Sequence, residues 1–469
     1  GKMTNHYLRN ITADYITGVV SACEGIHNSL ILLNGPLGCK FYHGYSAGQS
    51  AINSIDLGHL RGNLKLCNAM EDKLLRSQYF AGSPQNPGTN LRYEDYIFGT
   101  RDQLHRALND IFTQKKYDFF TVIQSPGTSL LGEALERELQ EISVEFGLPY
   151  LFVEIPELSS DFCKGYDETT VKLFEKLLPP ERKLQERESG NPSVNLFGFH
   201  TYEKFLEGGI NEIRRLLALC GVDICCVAGA DCPIDQIKRI PEADANIIFS
   251  PERCEKTAAW LNKRYQMPLI ETNGMPIGFE LTEKLIRQVG DVLKVDISSA
   301  LEDIERGKAR AFYFIARHLG PSGFPKELRY AVEGEYSLLN SYVSFLSGYF
   351  GVMPICTHVL FEKNEQAKYL LLDTLTKYHA QKAINQDLMQ CQNMILLGSS
   401  TTIMEVTAYG HNIFGIEIAN PTSGYVHVTP KTYLGVNGAL YLLEQFINGN
   451  RLITANQEIS GHWFPTAWK

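Results

Sequence analysis

The residue best placed to do chemistry in this chain is Cys39. It closes the run Asn34-Gly35-Pro36-Leu37-Gly38-Cys39, directly after the apolar SLILLNG of 29–35. A strand that empties into a turn with two glycines lets backbone amides approach a bound anion, which makes Gly35 and Gly38 candidate cofactor-binding positions. A thiolate in such a turn has a lowered pKa and becomes a good iron ligand. On the residues alone, Cys39 reads as a metal ligand, as a nucleophile, or as an inert turn cysteine.

The chain has eleven cysteines and no paired CxxC motifs, so neither a zinc ribbon nor a ferredoxin-type cluster contained within it is expected. A metal site would have to be assembled from scattered cysteines or shared with another chain. Cys67 is a reserve ligand, because it falls in an irregular stretch from which a loop cysteine can swing toward a site. Cys23, on the apolar helical run GVVSACEGIHNSL, reads first as a core residue and second as a ligand. Cys220, Cys225, Cys226 and Cys232 in LALCGVDICCVAGADC read as core packing. His27 and His43 flank the Cys39 segment and read as solvated or hydrogen-bonded.

Composition narrows the function. The 469 residues are 44% hydrophobic and carry a formal charge of −9. An acidic balance without Lys/Arg-rich runs argues against nucleic acid or an anionic membrane surface as partner. No apolar run reaches about 18 residues, and the polar start GKMTNHYLRN lacks a signal-peptide core, so the expected location is cytoplasmic. Gly1 and Lys2 ahead of Met3 read as a remnant of preparation. GxGxxG after a strand and GxxxxGK[ST] are both missing from the sequence, so neither a dinucleotide nor an ATP site is indicated.

These residues must be held by repeated βα units. Strand-length apolar runs at 29–35, 119–124, 150–155, 194–199, 223–229, 246–250, 329–334, 394–400 and 412–418 alternate with helix-like stretches such as 100–114, 211–220 and 300–319. Most of the runs end in Gly, Ser or Asn, where a chain leaves a sheet. The pattern predicts an α/β protein of three Rossmann-like domains, each a mainly parallel sheet flanked by helices. The charged, proline-bearing 176–193 reads as a linker, and a second break lies near HLGPSGFPKELR. The expected domains are 1–190, with the Cys39 segment, 191–305 and 306–469. The segment 45–98, poor in strand signal, is expected at a subunit contact or over a bound group.

The segment ADYITGVVSACEGIHNSLILLNGPLGCKFYH (13–43) resembles the cluster-binding region of the nitrogenase component-1 superfamily. That superfamily includes nitrogenase molybdenum–iron protein subunits, their cofactor-assembly relatives, dark protochlorophyllide reductases, nickel-tetrapyrrole reductases and methylthio-alkane reductases. Ile97-Phe98-Gly99, Gly132-Glu133, 245–286, 398–418 and 435–448 resemble later family segments in the same order.

The resemblance puts Cys39 on the family's second cluster cysteine, Asp14 on the first, and Pro126, which cannot ligate, at or near the third. It implies an iron–sulfur cluster, [4Fe-4S] or larger and P-cluster-like. Cys39 would be the principal ligand, with Asp14, Cys67 and Cys23 as further candidates. So small a ligand set places the cluster at an interface with a second component-1 subunit, a copy of this chain or a different one. An iron-protein reductase using ATP would deliver the electrons.

For the family's second pocket, the resemblance points to Cys254 as a cofactor contact and to Tyr166 as a proton or hydrogen-bond donor. A second metallocofactor or a tetrapyrrole would be its occupant. The family's late histidine is missing, and His427 is out of register. Both departures also suit an alternative role, a non-catalytic scaffold for metallocluster assembly. An unrelated multi-Rossmann binding protein without a cluster is a third reading.

Overall fold

Nine short segments with apolar, largely β-branched or aromatic faces become parallel strands, and two edge strands join them. In the computed structural model, residues 14–36, 79, 87–155, 161–183, 188–318, 327–360, 364–418, 425 and 428–463 are described. The first sheet has the order β1 (Ser29–Asn34), β2 (Phe119–Gln124), β3 (Tyr150–Glu154). Leu32 stands opposite Val122, and Val122 opposite Phe152. The second sheet runs β5 (Asp223–Val227), β4 (Ser193–Phe197), β6 (Ala245–Ile248), β7 (Leu269–Glu271). The third runs β11 (Ile413–Glu417), β10 (Met394–Gly398), β8 (Arg329–Gly334), β9 (Met353–Val359). All described strand pairs are parallel. Each sheet is flanked by helices, so the chain is an α/β protein with three parallel sheets, as its alternating pattern predicts.

The two strands that the sequence pattern does not reveal, β7 and β9, are both edges. β7 is three residues long with one buried side chain between two exposed ones. β9 contains Pro354 and sits beside a register irregularity at Tyr330/Ala331. Short edges, and edges interrupted by proline, carry no continuous apolar run to read.

The helices follow their apolar stripes. Arg101–Gln114 buries Leu104, Ala107, Leu108, Ile111 and Phe112, spaced for one face of a helix. Two other helices are locked by glycine. A Cβ on Gly18 of Tyr15–Glu24 would fall on the backbone oxygen of Phe162, and one on Gly165 of Phe162–Leu177 would fall on that of Tyr15. The backbones therefore touch, which only residues without a side chain permit. Asp14 and Asp161 cap these helices and bridge each other at the carboxyl edge of the first sheet.

The units do not stand apart. One buried apolar cluster runs from Val194 and Leu196 through Tyr330 and Val332 to Leu442 and Phe446, joining the second and third sheets. Another links Val19, Cys23 and Tyr166 to Phe197, Cys226 and Cys254. The helix Ser298–His318 runs unbroken across position 305 and packs on Gly435–Trp463. That last helix returns to the second unit, where buried Glu212 accepts hydrogen bonds from Asn437 Nδ2 (2.7 Å) and from Val436 and Asn437 amides at its start. A carboxylate at a helix N-terminus is favourable there. Among the described residues, no helix is long and apolar enough to cross a membrane.

Candidate functional site

Two places at the carboxyl ends of the strands collect polar groups, as parallel sheets dispose them to do. The first lies at the end of β1. Asn34, fully buried, donates from Nδ2 to Gln124 Oε1 (2.8 Å) and Thr100 Oγ1 (3.3 Å), and accepts from Thr89 Oγ1 (2.9 Å). The Gly35 amide donates to Thr89 Oγ1 at 3.1 Å. A Cβ on Gly35 would meet Ser125 Cβ and Oγ at 2.8 Å, so the chain leaves the sheet pressed against the end of β2. Thr100, itself capped through its amide and hydroxyl by Glu133, ties this network to Gly99 and Glu133.

Gly38, Cys39 and Cys67 lie outside the described residues. Asp14 caps the helix that leads into β1, and its Oδ1 accepts from the Thr17 amide (2.9 Å) and hydroxyl (2.8 Å). Cys23 is elsewhere. Nine residues along its helix, about 13 Å from Asp14 at 1.5 Å per residue, it is fully buried with its thiol pushed up to about 12 by burial. One compact metal site therefore does not take both Asp14 and Cys23. Among the described residues, no three His, Cys, Asp or Glu side chains gather as a metal site. The described residues thus form a platform at this edge but do not contain a cluster's ligand set.

The second place is the junction of the three sheets. The helix Phe162–Leu177 brings Cys163, Tyr166 and Asp167 from the first unit. The turn after β4 brings His200, Glu203 and Lys204. β6 leads to Ser250 and to Glu252, Arg253 and Cys254 on the helix Pro251–Tyr265, and β8 leads to Glu335 and Ser337. Arg253 is the hub. Its Nη1 donates to Glu203 Oε2 (2.9 Å) and its Nε to Ser250 Oγ (3.0 Å), with Glu335 Oε2 3.4 Å from Nε. Glu252 accepts from the Ser337 amide and hydroxyl, each at 2.7 Å. Asp167 accepts from Lys256 N, Thr257 N and Thr257 Oγ1, which bolts the first unit onto the second. Lys204 pairs with Glu417 at the end of β11, both buried.

Burial sets the protonation states. It raises the Glu335 carboxyl above the usual range, with Arg253 opposing, and raises Glu252 together with the nearby Glu335 charge. Arg253 is held charged because Glu335 and Glu203 outweigh its desolvation. Desolvation lowers His200 well below 6.5, leaving it neutral at pH 7. Its Nδ1 accepts from the Tyr202 amide (3.1 Å), so the ring proton sits on Nε2 and points at Glu203 Oε2 (3.3 Å). Burial also pushes the Cys163 and Cys254 thiols well above 9.

A cleft of about 540 Å³ opens beside this cluster, between the helix Pro251–Tyr265 and the start of the helix Glu365–Lys377. Cys254, Glu255, Asn273, Asn364 and Glu365 line it, and its size suits a small ligand. Tyr166 and Cys254, singled out from sequence, do come together at the junction. Tyr166 is buried, and its hydroxyl donates to the Phe199 carbonyl at 2.8 Å. Arg253, Glu252, Glu203, His200 and Glu335 belong to no sequence motif. Position is their one signal: Glu252 and Arg253 directly precede Cys254 after an expected strand, and Glu335 follows another.

The comparisons with known proteins agree with this architecture. Residues 15–450 match the family described as nitrogenase component 1 type oxidoreductase. Among relatives, the B-type subunit of light-independent protochlorophyllide reductase from Synechococcus sp. (strain WH7803) is 29% identical over 198 residues, covering 39% of this chain and 37% of that protein. Its counterpart in Halorhodospira halophila is 28% identical over 182 residues, 38% of this chain and 34% of that protein. These matches thus span little more than a third of the relatives' length. A solved structure described as nitrogenase Cp1 at pH 6.5 superposes with a TM-score of 0.72 at 14% identity, covering 98% of this chain and 95% of that one, a likeness of fold. With a family match from the first described helix into the last, the chain belongs to the nitrogenase component 1 type oxidoreductases.

Proposed function

We propose that this chain is a subunit of a nitrogenase-like reductase. It would hold an iron–sulfur cluster at an interface with a second component-1 subunit and pass electrons from an ATP-dependent iron protein to a pocket between its domains. The observation that carries the reading is the family match over 15–450, joined to a buried, charge-lined junction at the carboxyl ends of the second and third sheets. When bound, the cluster supplies low-potential electron transfer.

The chain's own residues supply placement. Asn34, Thr89 and Gln124 hold the chain in place at Asn34 and Gly35, where β1 ends. Ligands beyond Cys39 would come from Asp14, Cys67 or the partner subunit. At the junction, Arg253 holds two carboxylates, and Cys254 lines the cleft that would take the substrate, a tetrapyrrole or a second metallocofactor. Domains of 1–190, 191–305 and 306–469 are proposed around the three sheets. Anaerobic protein mixed with a reduced iron protein tests the reading. ATP-dependent oxidation of the iron protein supports it, and electron flow indifferent to ATP counts against it.

A non-catalytic scaffold for metallocluster assembly is the second reading, favoured by Pro126, which cannot ligate, standing at or near the place of a family cysteine. A scaffold would release its cluster to an acceptor protein without turnover, which distinguishes it from a reductase.

A further inference from the structure

Cys226 and Cys232 take no part in either site, yet their sulfurs lie 3.2 Å apart. That is closer than two unbonded sulfurs usually sit and about 1.2 Å longer than a disulfide. Cys226 belongs to β5, an edge strand. Opposite β5 the register shifts, so that Ile224 pairs with Val194 and Cys226 with Asn195, leaving Cys225 as the extra residue of a bulge. Cys226 and Cys232 are buried, while Cys225 is half-buried with its thiol directed to the Arg239 carbonyl.

The chain between them is a clamp on the first unit. The Cys232 amide donates to the Gly25 carbonyl (2.7 Å), and its carbonyl accepts from the His27 amide (3.0 Å). His27 Nδ1 lies 3.0 Å from Asp231 Oδ1. Gly229, with φ +85°, is so close to Tyr166 and Phe199 that a Cβ would strike the Tyr166 hydroxyl and the Phe199 carbonyl. The loop thus touches the turn between the first helix and β1, and the wall of the junction, at once.

We propose that Cys226 and Cys232 form a reversible disulfide that tightens this clamp between the first and second units. The inference stands apart from the cluster reading and needs no metal. In the step, the Cys232 thiolate attacks a small-molecule disulfide, giving a mixed disulfide and one released thiolate. The Cys226 thiolate then displaces the second small thiolate and forms the Cys226–Cys232 bond. Two cysteine thiols are oxidised, one small disulfide is reduced to two thiols, and the two cysteine protons end on the released thiols.

The test equilibrates the full native chain with reduced and oxidised glutathione, blocks remaining thiols with an alkylating reagent, and maps peptides. The expected result is loss of two alkylation sites and about two mass units from the peptide carrying Cys226 and Cys232, one hydrogen per thiol, reversed by dithiothreitol. Cys225→Ala should leave the bond intact, and Cys232→Ser should abolish it. Hydrogen exchange at the His27 and Cys232 amides should slow about tenfold on oxidation, as a tightened junction opens less often. Full alkylation of both cysteines in oxidising buffer overturns the proposal, as does pairing through Cys225 or Cys220. A bond that forms without slowing exchange overturns the clamp. The wild-type map decides even where a variant does not fold.

Discussion

Arg253 and Glu335 follow strands of different sheets, yet Nε of the arginine lies 3.4 Å from Oε2 of the glutamate, with Glu203 held by the same guanidinium. Arg253 is thus a cation shared by two carboxylates at the seam of the second and third units.

Removing it strands buried charge. Arg253→Ala is expected to cost about 3–5 kcal/mol of stability, the usual penalty for breaking a buried pair from one side. Arg253→Lys, which keeps the charge but loses the fork, should recover only part. Urea unfolding followed by intrinsic fluorescence measures both. A loss for Arg253→Ala within the range of a surface pair would remove Arg253 from its place as hub.

The junction also gives stability a pH signature. Glu335 and Glu252 have raised carboxyl pKa values in the folded chain. Their contribution is fully present below about 4.3, the unfolded value, and is lost as pH rises through the folded one. Glu335→Gln takes a constant penalty at Arg253 but removes one of these losses, so its stability relative to wild type should improve from pH 5 to pH 8. His200 works in the opposite sense, since its lowered pKa gives a contribution present above about 6.5 and lost as pH falls. His200→Gln should therefore gain on wild type below pH 6. Denaturation midpoints across that range check both signs.

The helix contact between Gly18 and Gly165 predicts a sharp contrast among glycines. Gly18→Ala or Gly165→Ala drives a methyl into backbone and is expected to cost about 3 kcal/mol or more, at the upper end of overpacking effects. Gly127→Ala meets nothing within 4 Å and should be neutral or stabilising by up to about 1 kcal/mol. Thermal melts of the three variants suffice. Equal losses at all three would contradict the contact.

The parallel strands were legible because burial on both faces writes a continuous apolar run, as in SLILLN and FFTVIQ. Gly35 stands out in sequence as a place for backbone amides to approach an anion, whereas its contact in the fold is a different one, with Ser125. The segments around Gly99 and Glu133 stood out only as separate likenesses to a family, whereas in the fold Glu133 caps Thr100. Arg253, Glu203 and Glu335 were marked in sequence only by their place after expected strands. Each reads in sequence as an ordinary surface charge, and only the meeting of two sheets buries them together. Cys23 was legible too: its apolar helical run reads first as core, and its helical face places it there.

Glu133 yields a prediction on the same edge as Gly35. Thr100 is fully buried, and its amide and hydroxyl both rely on this carboxylate. Glu133→Ala should cost about 1–3 kcal/mol, the penalty for unsatisfied buried donors. Hydrogen exchange should quicken first at the start of the helix Arg101–Gln114. Unchanged exchange there would show that the cap is dispensable.

The central claim is a cluster just beyond the β1 edge, and iron anomalous scattering from anaerobically prepared protein with its native partner tests it most directly. The account predicts an iron peak past Gly35, beside Cys39 and near a subunit boundary, which Cys39→Ala removes. Brown, iron-loaded protein whose peak lies elsewhere, or survives that substitution, would contradict the site, and iron-free wild-type protein would contradict the cluster itself.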